Sequence, residues 1–196
     1  MMNDALDAAP GPVRFWLRDD DASSMTPQLA RLLDIADHLD MPMALAVIPA
    51  RLQADAADSL ASHAQAVIMQ HGFDHSNHAL PGEKKRELGG TLTTNAVLER
   101  LRAGRAILER MCHRRVLPVL VPPWNRIDDE VVAALPDLGF QGLSTFASDG
   151  RGECAGLVQH NPQIDPIAWR TDRAFLSAPA IVDRIVELIR AGSIRR

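Results

Sequence analysis

The sequence predicts an α/β fold: a distorted (β/α) barrel of about seven parallel strands, incomplete at its C-terminal end if the chain closes on its last helix. Three observations predict it. Short apolar runs alternate along the chain with stretches whose apolar residues recur at helical spacing. Two of those runs, Met43–Ile48 and Ala66–Met69, are apolar without alternation, as buried strands are, and Leu117–Val121 is a further apolar run. Polar, metal-capable residues stand directly after the runs, at Asp19–Asp21, His71–His78 and Pro122–Asn125. In a parallel barrel the C-terminal ends of all strands open on one face, so these distant segments become neighbours.

The elements follow in order. Residues 1–12 read as a flexible lead, and 13–196 as one domain without linker or repeat. Val13–Leu17 is a first strand that ends in Arg18, Asp19, Asp20 and Asp21. Thr26-Pro27 marks a helix start, and Leu29, Leu32, Leu33, Ala36 and Leu39 continue it. Met43–Ile48 is a strand stopped by Pro49, residues 53–63 suit a short helix, and Ala66–Met69 is the third strand. Residues 74–90 are a polar loop with Pro81, Gly82, Gly89 and Gly90. Thr94 or Asn95 caps a helix carrying Val97, Leu98, Leu101, Leu108 and Met111. Leu117–Val121 is the fourth strand, a helix near 127–138 follows, and further strands are expected at 140–145, 155–159 and 163–165. Ile181, Ile185, Leu188 and Ile189 mark the last helix.

Composition excludes several functions. With 196 residues, a net charge of −4 and no basic stripe, nucleic acid is not an expected partner. Aromatic residues are 4% with no Tyr, so the three tryptophans are the available stacking surfaces for a sugar. Cys112 and Cys154 form no CxxC and read as idle thiols in a reducing compartment. No signal peptide or membrane-length apolar run is present, so the chain reads as cytoplasmic, without a membrane partner.

His71 and His75 stand at i and i+4, a spacing that on a helical turn lets both imidazoles share one metal ion. A carboxylate from the Asp19–Asp21 run would complete a set of two histidines and one aspartate, leaving positions open for water and substrate. Three adjacent acids raise at least one pKa, and a cation relieves that repulsion. One aspartate could then bind metal while its neighbour acts as general base. His38, His63 and His113 read as surface residues, Trp16 as packing, and Glu83–Glu87 as a solvated loop or helical turn. Trp124 and Trp169 suit either a substrate wall or packing.

The chain resembles the polysaccharide deacetylase superfamily (NodB homology, carbohydrate esterase family 4 and its divergent relatives). Arg18–Ala22 is similar to that family's first motif, Thr-Phe-Asp-Asp-Gly, and His71-Gly-Phe-Asp-His75 to its second, His-(Ser/Thr)-x-x-His. Val121–Asn125 resembles the third, Arg-x-Pro-Tyr/Phe, and Asp165–Trp169 the fourth. Order and spacing agree over roughly residues 13–170. The resemblance implies a distorted barrel and one divalent metal ion, zinc first, with cobalt, nickel or manganese as alternatives. It implies hydrolysis of an acetyl group from an N- or O-acetylated sugar or a related small amide or ester. It makes Asp20 the base and Asp21, His71 and His75 the ligands, with Asp19 and Asp20 as the alternative pair. Pro123, Trp124, Asn125, Asp165 and Trp169 become the substrate-binding candidates.

Three departures stand out. Gly72 replaces Ser/Thr. Val121 stands where the third motif has its arginine, leaving Arg18 and Arg126 as candidates to orient the base. The final Leu-x-His, source of the general acid, is missing, and His160 is the only late histidine. A metal- or sugar-binding protein impaired in catalysis is therefore the alternative reading. A mononuclear iron enzyme is a third, disfavoured by the βα order. An unfinished barrel edge is expected to be covered by the final helix or by a second subunit, as in a homodimer.

Overall fold

A computed structural model, described over residues 2–146, 156–169 and 171–192, contains a six-stranded sheet in the order β1-β2-β3-β4-β5-β6. Every strand pair is parallel. Helices alternate with the strands, the pattern of a distorted (β/α) barrel, with six strands among the described residues rather than about seven.

The apolar runs become β2 (Met43–Val47), β3 (Ala66–His71) and β4 (Val116–Val121). The first strand corrects the sequence reading. β1 is Leu17–Ala22, so the acidic run lies inside the strand and not beyond its end. Pairing decides this: the ladder with β2 begins at Leu17 opposite Met43, whereas Val13–Trp16 has no strand partner. Helix α2 (Pro27–His38) starts where Thr26-Pro27 marks it, the Thr26 hydroxyl accepting the Leu29 N–H at 3.1 Å. After α3 (Ala54–Ser62), helix α4 (Thr94–Cys112) is capped by Thr93, one residue before the expected cap, through the Ala96 N–H.

The helix expected at 127–138 is divided by Pro136 into α5 (Asp129–Ala134) and a 3₁₀ turn at Pro136–Leu138. β5 (Gly142–Leu143) and β6 (Val158–Gln159) are shorter than their apolar content suggests. Residues 163–165 form no strand: the Asp165 carboxylate accepts the Ile167 N–H, a local bond that competes with sheet pairing.

The core lies on both faces of the sheet. Outside, Leu45, Val47 and Ile68 pack against Leu29, Leu33 and Ala36 of α2, Leu60 of α3 and Leu108 of α4. A second cluster joins Val97 and Leu101 to Leu120, Val131, Leu135 and Leu143. Each such leucine contributes roughly 1.5–3 kcal/mol by burial. A separate cluster contains Ala44, Ala46, Met69 and Val121, with Trp16 packed against it. Arg18, on β1, hydrogen-bonds to Ser144 and Thr145 just past β5. The sheet therefore curls until its first and fifth strands share one guanidinium.

Residues 16–161 form one compact unit, and 1–15 with 162–196 another. In the second, residues 2–7, read from sequence as part of a flexible lead, form helix α1 (Met2–Asp7). Its Ala5 packs with Val186 and Ile189 of α6 (Ala178–Arg190), and this burial is what orders it. No helix among the described residues is long and apolar enough to cross a membrane.

Candidate active site

β1 carries the acids, and a bulge aims them. Asp19 pairs with Leu45 and Ala22 with Val47, so three steps on β1 match two on β2. The extra residue disturbs the alternation at Asp20–Asp21, and Asp21 takes φ +72°. Arg18 and Asp20, two residues apart, share a face. The guanidinium pairs with Asp20: Nη2 donates to Oδ2 at 3.0 Å, and Nε lies 2.9 Å from Oδ1. Its other donors reach the Ser144 carbonyl and hydroxyl, the Thr145 carbonyl and the Asn125 amide oxygen at 2.8–3.3 Å. Arg126 instead donates to the Lys85 carbonyl. Arg18 is thus the cation that meets the acidic run.

Asp21 turns toward the histidines. Its Oδ1 lies 3.1 Å from Nε2 of His71 and 3.1 Å from Nε2 of His75. His71 is the last residue of β3 and is buried; His75 follows in a loop, at φ +58°. The segment between them is not helical, which corrects the expected helical turn. A left-handed Gly72 (φ +57°) redirects the chain, and the loop brings the two rings to 5.4 Å.

The donor chemistry fits a divalent cation. His71 Nδ1 is 2.9 Å from the Val121 carbonyl, which can only accept, so Nδ1 carries the hydrogen. In the neutral imidazole, Nε2 then presents a lone pair to a carboxylate oxygen. That arrangement is repulsive unless a proton or metal lies between them. One donor atom from each of Asp21, His71 and His75 lies within 4.8 Å of the other two, compatible with an ion bound at ~2.1 Å. With Asp21 largely exposed, one side of such an ion faces solvent.

The three aspartates differ electrostatically. Hydrogen bonds to His71 and His75 hold the Asp21 carboxyl well below the usual range. The Asp21 hydrogen bond in turn raises His75. Burial, then the charges of Asp20 and Asp21, push Asp19 up to about 6.

Trp124 and Asn125, both left-handed (φ +55° and +56°), follow β4 in a 3₁₀ turn. The Trp124 ring lies tilted against His75, centroids 4.3 Å apart, with Lys85 Nζ 5.7 Å from the Trp124 centroid. Pro123 is buried beside Gly72. His160 packs on Trp16 with ring centroids 4.8 Å apart. Asp165 and Trp169 belong to the other unit, where the Trp169 indole N–H donates to the Asp165 carboxylate at 2.7 Å.

Sequence reasoning missed Glu87, Ser144 and Thr145. Glu87, read as part of a solvated run, is 0% exposed and receives backbone N–H groups of the His75 loop. The charged run Glu83-Lys-Lys-Arg-Glu87 hides it, because Glu83, Lys84 and Lys85 of that run are exposed.

No family model matches the sequence, and neither does any curated protein. The fold does match solved structures. It is similar to a family 4 acetyl xylan esterase from Clostridium thermocellum, solved with a cobalt ion, at TM-score 0.51 and 14% identity over 66% of this chain and 56% of that one. Streptococcus pyogenes deacetylase PplD, in complex with acetate, matches at TM-score 0.54 and 15% identity over 74% and 62%. IcaB from Ammonifex degensii matches at TM-score 0.62 and 15% identity over 92% and 74%. The chain therefore spans about three fifths of the first two. Its fold is the one these three solved structures share.

Proposed function

We propose that this chain is a divergent polysaccharide deacetylase, a metal-dependent hydrolase that removes an acetyl group from an N- or O-acetylated carbohydrate. The observation that carries the reading is the convergence of His71 Nε2 and His75 Nε2 on one Asp21 oxygen, with the His71 proton committed to the Val121 carbonyl.

Asp21, His71 and His75 would hold the ion. When bound, a divalent ion such as zinc supplies Lewis acidity that polarises an acyl carbonyl and acidifies water. Asp20 is the general base, receiving the proton of the attacking water. The Arg18 guanidinium pairs with this carboxylate and fixes its orientation. Arg18 thus takes the duty of the arginine that Val121 displaces from the third motif. Asn125 is assigned to holding Arg18, and Pro123 and Trp124 to one wall of the acyl site. Asp165 and Trp169, paired with each other, are the remaining candidates for sugar contact.

The test is elemental analysis of the purified protein and of a folded His71→Ala/His75→Ala variant, followed by acetate release from acetylated xylan and chitin oligosaccharides. About one equivalent of zinc, cobalt, nickel or manganese is expected, lost in the variant, with acetate released only by the loaded protein. A wild-type protein that binds none of the four ions refutes the reading. Metal uptake without acetate release would favour the binding-protein alternative.

A further inference from the structure

The loop carrying His75 is folded around a carboxylate. Glu87 Oε1 accepts the N–H groups of Phe73 at 2.8 Å and Asp74 at 2.9 Å, and Oε2 accepts that of His75 at 3.2 Å. Three consecutive amides converge on one side chain that is itself 0% exposed. Such a concavity of backbone N–H groups is an anion nest, and here the anion belongs to the chain. The amides of Asp74 and Phe73 offset part of the cost of burial, which still raises the Glu87 carboxyl.

Gly72 completes the device. A Cβ at that position would lie 2.2 Å from Glu87 Oε2 and 2.8 Å from its Cδ, and φ is +57°. The carboxylate therefore occupies space that opens only because residue 72 has no side chain. On the other side, the Gln70 amide donates to the Gly72 carbonyl at 3.0 Å and to the Leu101 carbonyl at 3.0 Å, tying the loop to α4. Arg100 of α4 adds an ion pair to Asp74 and lies 4.8 Å over the Phe73 ring.

Burying a carboxylate for stability alone is a poor use of the position, because an apolar side chain fills a buried space at less cost. A carboxylate can do what an apolar group cannot: it turns successive N–H groups inward. This holds His75 in a left-handed conformation that a non-glycine residue otherwise avoids.

We propose that Glu87 is the positioning residue of the His71–His75 loop: its carboxylate, seated against Gly72, gathers the amides of Phe73, Asp74 and His75 and thereby aims His75 Nε2 at Asp21. The inference rests on the metal-site reading above. Without Glu87 the loop would keep its length and its two histidines but lose their mutual aim.

The experiment uses the full chain and cobalt(II) alone, titrated by its visible absorption, beside amide hydrogen exchange followed by NMR in the metal-free protein. In Glu87→Gln, cobalt affinity is expected to fall roughly 10–100-fold, as for other groups that orient ligands. The amides of Phe73, Asp74 and His75 should lose protection while those of Leu45 and Val47 keep theirs. Gly72→Ala pushes on the carboxylate from the other side and should give the same pattern, so it carries the test if Glu87→Gln does not fold. A merely structural role would lower the Tm while leaving cobalt affinity and the three amides unchanged; that result overturns the proposal. If the wild-type protein binds no cobalt, the metal reading fails, and the exchange data decide alone. Selective loss at the three amides then supports Glu87 as the organiser of the loop, and unchanged protection overturns it.

Discussion

Replacing Arg18 with methionine removes a guanidinium whose side chain is 6% exposed and which binds Asp20, Asn125, Ser144 and Thr145 at once. Methionine fills much of the volume, so the loss is chiefly electrostatic. Breaking a buried ion pair by deleting one partner costs roughly 3–5 kcal/mol. Asp20 remains 32% exposed, so water recovers part of this, and about 2–3 kcal/mol remains after that discount. The Ser144 and Thr145 carbonyls also lose a donor, which keeps the sum from falling lower. Urea denaturation of the metal-free protein measures the change, with an unchanged m-value showing that unfolding stays cooperative. Arg126→Ala is the internal control: that arginine donates to the exposed Lys85 carbonyl, and its loss should stay within about 0.5 kcal/mol. Arg18→Lys should fall between the two, restoring the charge without the fork. In acetate-release assays Arg18→Met should lower kcat more than it raises KM, because a misdirected base affects the transition state and not substrate binding. Equal, small losses in Arg18→Met and Arg126→Ala would refute the reasoning, since they would mean that Asp20 does not depend on its partner.

Asp19 gives a pH-dependent counterpart. Its carboxyl rises from 3.8 to about 6, so the native state binds more protons than the unfolded chain between those values, and stability falls as pH rises through that window. Asp19→Asn should therefore stabilise the metal-free protein at pH 7 by about 1–2 kcal/mol after discounting for partial exposure, and not at pH 4; an equal gain at both pH values would count against this. Cys112 is 0% exposed, and burial, then the Asp58 charge, push its thiol from 9.0 up to about 11. In a Cys154→Ser variant at pH 8 the remaining thiol should react with a disulfide reagent roughly 100-fold more slowly in the native state than in urea; equal rates would show that the α4 end is open.

The parallel sheet was legible because β2 and the first four residues of β3 are apolar without alternation, as strands covered on both faces are, whereas β4 is as apolar yet leaves Leu117 exposed. The convergence of Asp21 with His71 and His75 was legible for a related reason: polar, metal-capable residues toward the C-terminal ends of parallel strands fall on one open face. What the sequence could not show was backbone geometry. The i, i+4 spacing of His71 and His75 suits a helix, yet the loop between them runs through left-handed Gly72 and His75. Its amides converge on Glu87, twelve residues beyond His75 and the last member of a charged run whose first three residues are exposed. Local pattern reading cannot find a long-range carboxylate nest, although Gly72, where the motif that this segment resembles has Ser/Thr, was a signal that something else fills that space. The start of β1 was hidden likewise, because hydrogen-bond register with Met43 sets it, not the apolar residues upstream.

The run Asp19-Asp20-Asp21 shows how three identical residues acquire three environments. By composition they are interchangeable, and the resemblance to known motifs leaves two pairings open. Strand alternation separates the first two: Arg18 and Asp20 fall on one face, so the neighbour two residues back becomes the partner of the base, and Asp19 is left without that cation. A continued regular strand would return Asp21 to the side of Asp19. The bulge and the φ of +72° break that phase and turn Asp21 toward His71 and His75 instead. Left-handed conformations at Asp21, His75, Trp124 and Asn125 fall at or just past the ends of β1, β3 and β4. Each costs energy that a core position would not tolerate, and each redirects a side chain that a regular strand or helix would have sent elsewhere. The backbone irregularities are thus the means by which a regular α/β sheet brings Asp21, His71 and His75 to one point, and the proposed roles of Asp20 as base and Asp21 as ligand rest on the phase of one strand.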